Sequence, residues 1–318
     1  MGASRLSVLV TGGCGFLGVH VLKRLSEEGY SVVSYDINDA QPRPRGPGRV
    51  SFVKGDVADL HRLLEAAKKF KVERAVHLAA LLTAESEENP PRAFKVNVDG
   101  TINVLEAARL MDFEGVVYAS SQAVYGVTGG EPVREDHPKN PVSVYGATKL
   151  ASELAGFKYA ELYSLGFAAL RFPMIYGPGP RGRGARLINM IVEPAARGER
   201  AVVPFSGDMK VEPLHVADAA ESVLSALKVR VTGAYNIGTG EVHTLRGVLN
   251  ILKELRPEAD AIFKANPGRL VYPVQGPLSI EKARAELSFA PRHNLRSGLR
   301  SYLEHLKAEG GASAELDF

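Results

Sequence analysis

The sequence predicts an α/β chain built on a doubly wound parallel sheet, and three observations predict it. Short uninterrupted Val/Leu/Ile runs alternate with helical patterns through the first half of the chain. A glycine-rich turn joins the first of those runs to the first helix. The 318 residues are 45% hydrophobic, enough for one large domain or two modest ones around a shared cleft.

The elements follow in order. Ser7–Thr11 (SVLVT) reads as a buried strand and 16–29 as a helix ending at Gly29. Strands follow at Ser31–Asp36 and Val50–Lys54, a helix at Leu60–Phe70 and a strand at 74–78. A long helix is expected over 92–111, then a strand at 115–120, a helix from Tyr145 to about residue 165, and a strand at 167–172. Strands that are apolar along their whole length are covered on both faces, so the sheet is parallel. With right-handed crossovers this is a Rossmann-type doubly wound sheet. After Phe172 the pattern loosens. Residues 175–184 (IYGPGPRGRG) read as a loop over a ligand cleft, followed by scattered elements such as a helix at 217–228 and a strand at 234–237. The expected organisation is a dinucleotide-binding domain over 1–172 and a smaller C-terminal α/β substrate lobe over 173–318, with some segments returning to the first domain.

Composition narrows the function. A net charge of +3 spread along the chain gives no basic patch for nucleic acid. No run of 18 uncharged apolar residues is present, and the apolar start is interrupted by Gly12, Gly13, Gly15 and Gly18, so neither a membrane span nor a signal peptide is expected. The single cysteine, Cys14, excludes an internal disulfide framework and fits a reducing, cytoplasmic setting.

The chemistry is concentrated in four places. Gly12, Gly15 and Gly18, with Phe16 and Leu17 opening the helix, form a strand-to-helix turn. There, missing side chains and free helix amides suit a pyrophosphate. Asp36 ends the second strand, where a carboxylate accepts from ribose hydroxyls and repels a 2′-phosphate, favouring NAD over NADP; Arg43 and Arg45 lie near it in sequence. Asp56 and Val57 follow the third strand and could bracket an adenine, with a helix N-cap as the alternative for Asp56. Leu78, Ala79 and Ala80 end the fourth strand with residues small enough for a cofactor to pass. Asn97, a poor helix former, either braces the site or satisfies a buried amide. Last comes Tyr145-Gly146-Ala147-Thr148-Lys149, with tyrosine and lysine on one helix face. The lysine ammonium is expected to lower the tyrosine pKa toward neutrality, as a general acid/base needs. Such a pair carries no weight alone; its position after a nucleotide fold and after Ser121, whose hydroxyl can hold a reacting carbonyl, gives it meaning.

Taken together, TGGCGFLG (11–18), GDV (55–57), HLAA (77–80), NVDGT (97–101), SSQAVYG (120–126), YGATK (145–149), RFPMIYGPGP (171–180), PLHVADAA (213–220), YNIGTGE (235–241) and IEKARAELSFAP (280–291) resemble the extended short-chain dehydrogenase/reductase family, in its NAD-dependent epimerase/dehydratase branch. The resemblance implies catalysis by Ser121, Tyr145 and Lys149, with Asn97 bracing the site and Pro173 lining the nicotinamide. It implies a carbohydrate-type substrate, foremost a nucleotide sugar to be epimerised, and a homodimer formed by the helix of YGATK and the helix at 92–111. Ala151, Leu154, Ala155, Phe157 and Tyr159 offer apolar surface for that contact. On the substrate side the chain departs from the pattern: Met174 and Val211 stand where asparagine and arginine are usual, while Arg186, Lys210 and Arg269 remain available for an anionic group. Oxidation of a small sugar acid or hydroxy acid is therefore the alternative. A non-catalytic dinucleotide sensor is disfavoured because Tyr145 and Lys149 are both present. The acid pair usual in dehydratases is replaced by Gln122 and Ala123.

Overall fold

A computed structural model of the chain describes residues 6–38, 46–180, 187–265 and 276–311. The first half runs β1 (Ser7–Thr11), α1 (Phe16–Glu27), β2 (Ser31–Asp36), β3 (Val50–Lys54), α2 (Leu60–Phe70) and β4 (Arg74–His77). After α3 (Thr83–Glu88) and α4 (Pro90–Ala93) come α5 (Gly100–Leu110), β5 (Gly115–Ser121), α6 (Val144–Tyr163) and β6 (Gly166–Phe172). The remainder is β7 (Met174–Tyr176), α7 (Asn189–Ala196), β8 (Ala201–Val203), β9 (Lys210–Val211), β10 (Pro213–His215), α8 (Val216–Lys228) and β11 (Gly233–Asn236). It closes with β12 (His243–Thr244), α9 (Leu245–Leu255), β13 (Ala261–Phe263), α10 (Glu281–Leu287) and α11 (Leu295–Gly311).

The main sheet has seven parallel strands in the order β11-β6-β5-β4-β1-β2-β3. Strand order reverses between β1 and β4, and the crevice at that switch point is where such sheets bind ligands. The alternation within β1 shows why its sequence has no polar face. Val8 and Val10 pack with α1 and α8 (Leu22, Leu25, Val223, Leu224), while Leu9 packs on the opposite face with Leu63, Val104 and Leu105. The Asp59 carboxylate caps α2 by accepting from the Arg62 amide at 3.0 Å, and Ser143 caps α6 by accepting from the Gly146 amide at 3.0 Å. A separate core of Ile188, Ile191, Val248, Leu252 and Leu299 holds the smaller lobe, with three two-stranded ladders, β10-β7, β12-β9 and β13-β8.

Two expectations are corrected. The helix expected over 92–111 is α4 followed by a π-helical turn at Phe94–Asp99 and only then α5. The widened turn points Asn97 inward, 1% exposed, with both its amide groups engaged. The stretch after Pro173 opens with β7 rather than loop, because β10 offers a parallel partner: Met174 through Tyr176 align with Pro213 through His215.

Candidate active site

The glycine turn is tight for steric reasons. Gly12 has φ +69°, and a Cβ there would stand 2.8 Å from the Ala79 nitrogen; a Cβ on Gly18 would stand 2.2 Å from the Gly12 oxygen. The backbone of β4's extension is therefore drawn against the turn, with the Ala79 amide donating to Thr11 Oγ1 at 3.4 Å. Gly15 is the N-cap of α1, so Phe16, Leu17 and Gly18 present helix amides at the open edge. This turn, too tight for a side chain at Gly12 or Gly18 and opening onto the start of α1, fits a dinucleotide pyrophosphate.

Asp36, nearly buried at the end of β2, holds the turn from below. Its Oδ2 accepts from the Cys14 amide at 3.0 Å and its Oδ1 from the Asn38 amide and side chain at 2.9 and 2.7 Å. The Asp56 Oδ1 accepts from the Ala58 amide at 2.9 Å; the helix cap is Asp59, so the capping alternative for Asp56 falls away. Val57 is buried, and its carbonyl accepts from Asn103 at 2.9 Å. Leu78, Ala79 and Ala80 are half-buried along the same edge. Asn97 joins two segments around the site: Oδ1 accepts from the Leu81 amide at 2.8 Å, and Nδ2 donates to the Leu81 carbonyl and to Thr148 Oγ1, each at 3.0 Å. Both readings of this residue meet in one geometry, since satisfying the amide fixes α6 to the loop after β4.

Ser121, Tyr145 and Lys149 come together at the carboxyl end of β5. The Ser121 hydroxyl accepts from the Ala123 amide at 3.2 Å, which fixes it at the end of β5, and it lies close enough to Tyr145 to lower that phenol's pKa. Lys149 is buried, donates from Nζ to the Ala119 carbonyl at 2.7 Å, and lies 5.6 Å from the centre of the Tyr145 ring. The Tyr145 shift runs opposite to the expected one. Burial pushes Tyr145 up to about 12 although the Ser121 hydrogen bond lowers it, and burial pushes Lys149 down to about 7 although Glu153 raises it. Desolvation acts against both charged forms, and in this geometry it outweighs what Ser121 does for Tyr145 and Glu153 for Lys149.

Glu153, one turn beyond Lys149 on α6, escaped the sequence reading. It is 1% exposed and forms a bidentate ion pair with the buried Arg171 of β6. The signal was present in YGATKLASE: a carboxylate on the same helix face, four residues after the lysine.

The substrate side is less gathered. Pro173 is buried between β6 and β7, and Met174 is half-buried, its amide donating to the Glu212 carbonyl at 3.1 Å. Val211 is buried, whereas Lys210, its neighbour on β9, is exposed. Arg186 and Arg269, like Arg43 and Arg45, lie outside the described residues. Glu212, also missed, ties this edge together: Oε1 accepts from the Thr239 and Gly240 amides at 2.7 and 2.8 Å, and Oε2 from the Leu278 amide at 2.8 Å.

A seven-stranded parallel sheet, a glycine cradle at its switch point and a Ser–Tyr–Lys group beside it define an NAD-dependent enzyme of the short-chain dehydrogenase/reductase type. The chain belongs to the NAD dependent epimerase/dehydratase family, which it matches over residues 8–238. It is similar to a UDP-glucose 4-epimerase of Azospirillum brasilense, at 30% identity over 92% of this chain and 89% of that protein. Among solved structures, the Thermus thermophilus UDP-glucose 4-epimerase in complex with NAD superposes with a TM-score of 0.85 at 31% identity, covering 96% of this chain and 100% of the other. MoeE5 in complex with UDP-glucuronic acid and NAD does so with a TM-score of 0.84 at 30% identity, covering 95% and 99%.

Proposed function

We propose that the chain is a UDP-sugar 4-epimerase with Ser121, Tyr145 and Lys149 at its reacting centre. The observation that carries the proposal is the convergence of these three side chains at the carboxyl end of β5, next to the glycine cradle, in a chain similar end to end to UDP-glucose 4-epimerases. Gly12, Gly15, Phe16, Leu17 and Gly18 hold the pyrophosphate of NAD. Asp36 takes the ribose hydroxyls, Asp56 and Val57 flank the adenine, and Leu78, Ala79, Ala80, Asn97 and Pro173 shape the nicotinamide end. Residues 1–172 supply most of this surface, and 173–318 most of the substrate side. Bound NAD supplies the hydride acceptor and donor. The Tyr145 oxygen takes the proton of the sugar hydroxyl and later returns it, the Ser121 hydroxyl holds the substrate oxygen in line, and the Lys149 ammonium favours the phenolate.

The test is incubation with UDP-glucose and NAD, with products resolved by chromatography: UDP-galactose accumulates and free NADH does not. Steady NADH release with a small sugar acid and no epimer would overturn it. That second reading draws on Val211, whose buried apolar side chain stands where a diphosphate-binding arginine is expected. UDP separates the two. A nucleotide-sugar site binds it near micromolar affinity and gains about 2.7 kcal/mol at 100 times the dissociation constant.

Assembly belongs to the same proposal. Leu110 of α5 and Leu154, Leu162 and Tyr163 of α6 are exposed, which supports a homodimer through these helices. Ala155, Phe157 and Tyr159 pack instead on the chain's own core. Light scattering on Leu154→Arg, giving half the mass of the unmodified protein, checks it. Among the described residues no helix is long and apolar enough to cross a membrane.

A further inference from the structure

The helix that carries Tyr145 and Lys149 sends a third ionisable side chain into the buried interior one turn later. Glu153 is 1% and Arg171 2% exposed. Glu153 Oε1 accepts from Ser120 Oγ at 2.5 Å and from Arg171 Nε at 2.9 Å, and Oε2 accepts from Arg171 Nη2 at 2.7 Å. Arg171 is fixed in turn, donating from Nη1 to the Tyr125 hydroxyl at 2.7 Å and to the Glu135 carbonyl at 3.0 Å. The Tyr125 hydroxyl donates to Asn236 Oδ1 at 2.7 Å, and Asn236 is held by the Glu135 carboxylate and the Val133 carbonyl. A carboxylate so placed cannot turn away from its neighbours.

Stability alone does not explain the arrangement, since apolar side chains of similar volume commonly replace a buried ion pair without loss. Lys149 gives a reason. Its ammonium donates to a neutral carbonyl, that of Ala119. The ionisable groups around it are His77 on β4, Tyr118 on β5, Tyr145 and Glu153 on α6, and, across the carboxylate, Arg171 on β6 with Tyr125, Glu135 and Lys139 beyond. His77 is neutral, pushed down to about 3 by burial and by Lys149. Tyr118 and Tyr145 are neutral phenols, pushed up by burial. Glu153 is the group that favours the ammonium against a burial that pushes the amine down to about 7.

We propose that Glu153, held by Arg171 and Ser120, is a positioning residue that supplies the counter-charge keeping Lys149 an ammonium beside the Tyr145 phenol. The inference rests on the roles given to Tyr145 and Lys149 above, and extends the reacting centre one turn along α6 and across to β6.

The test reads the lysine directly. The full chain is labelled with 15N-lysine, the Nζ signals are titrated by NMR, and the Lys149 signal is identified by its absence in Lys149→Met. In Glu153→Gln the Lys149 midpoint falls by roughly one to three pH units. At the pH of the original midpoint, turnover then falls by about fivefold or more, in kcat rather than KM. Glu153→Asp restores the midpoint toward that of the unmodified chain. Because Glu153→Gln leaves the Arg171 charge buried without its partner, Glu153→Gln/Arg171→Met is measured alongside it. It removes both charges, and its midpoint also falls. A folded variant of either kind whose Lys149 titrates as in the unmodified chain overturns the proposal, whatever its stability. Absence of epimerase activity in the unmodified protein counts against the function proposed above and leaves the midpoint comparison intact.

Discussion

The two lobes hold their functional residues by different means. Around the cofactor cradle, position is set by backbone: Gly12 and Gly18 have no room for a Cβ, β1 is flanked by hydrogen-bonded parallel neighbours on both sides, and Asp36 is clamped by amides two residues away or just across the turn. Beyond Phe172, position is set by single side chains reaching across long sequence separations. Glu212 gathers the amides of Thr239, Gly240 and Leu278, and the ladders are two or three residues long. A cradle made of backbone cannot be altered without altering the fold, whereas a wall made of side chains can be exchanged. The family's variety of substrates is thus expected to reside in the second lobe, where Met174 and Val211 depart from the usual pattern.

The strongest challenge to the comparison is acid, because each region buries a neutral histidine. Burial pushes His77, between Thr11 and Thr101, and His215, beside His293, down to about 3 from an ordinary 6.5, and His20 down to about 4. A folded value below the unfolded one means the stabilisation is complete above about 6.5 and is lost as pH falls toward the folded values. In that window each such ring lowers stability further with every unit of acid, because the unfolded chain takes up the proton first. Thermal melts from about pH 7 down to about 4.5 should show a steep fall in Tm. A single transition is expected, since α8 and β11 tie the lobes; two transitions would mean that the lobes unfold separately.

Chemistry comes next in size. Tyr145→Phe removes the proton-transfer group proposed above and keeps the ring, so turnover should drop by roughly 10²-fold or more with NAD affinity unchanged. Near-normal turnover in steady-state assays would place the acid/base elsewhere.

Two glycines then set backbone against side chain. Gly12 and Gly198 both have positive φ, +69° and +74°, but a Cβ on Gly12 meets the Ala79 backbone at 2.8 Å and one on Gly198 meets nothing within 4 Å. Gly198→Ala should cost about 1 kcal/mol in denaturant titration, the conformational term alone. Gly12→Ala should cost clearly more and also weaken NAD binding; equal costs would remove the distinction between the lobes. The smallest effect is expected at Asp36. Asp36→Ala should narrow the preference for NAD over NADP, read by fluorescence titration, with the change in Tm limited to the loss of its hydrogen bonds to Cys14 and Asn38.

Legibility in the sequence follows the same division. β1, β2, β3 and α2 were read to the residue because each is a local pattern with a local stop: an apolar run ended by a glycine turn, or a helix begun by Asp59 and ended at Lys71 in the left-handed region. Ser121, Tyr145 and Lys149 were legible because α6 fixes two of them by helical period and β5 delivers the third. The π-helical turn around Asn97 was not legible, since a single added residue in a turn leaves the apolar pattern of 92–111 nearly intact; the poor helix former was its only mark. β7 was lost in a Gly/Pro-rich run because its partner, β10, lies 39 residues later, and pairing at that distance leaves no periodicity to read. The direction of the Tyr145 shift was misread for a related reason. Spacing shows that two groups meet, not how much water they lose in meeting.

β11 gives the molecule a history as well as a shape. It forms the outer edge of the main sheet against β6, yet it is made after all of β7 to β10 and α8. As the chain leaves the ribosome, β6 therefore waits with one side unpaired for some sixty residues, about as long as β1 waits for β4. An open apolar edge at that stage invites pairing with another nascent chain. When β11 arrives, cover follows it: Lys282 of α10 donates to the Ala234 carbonyl at 3.0 Å and lies over the Tyr235 ring at 4.5 Å. The same strand carries Asn236 to the Tyr125 hydroxyl, so the last strand to join the sheet is also the one that completes the polar chain leading back through Arg171 to Glu153.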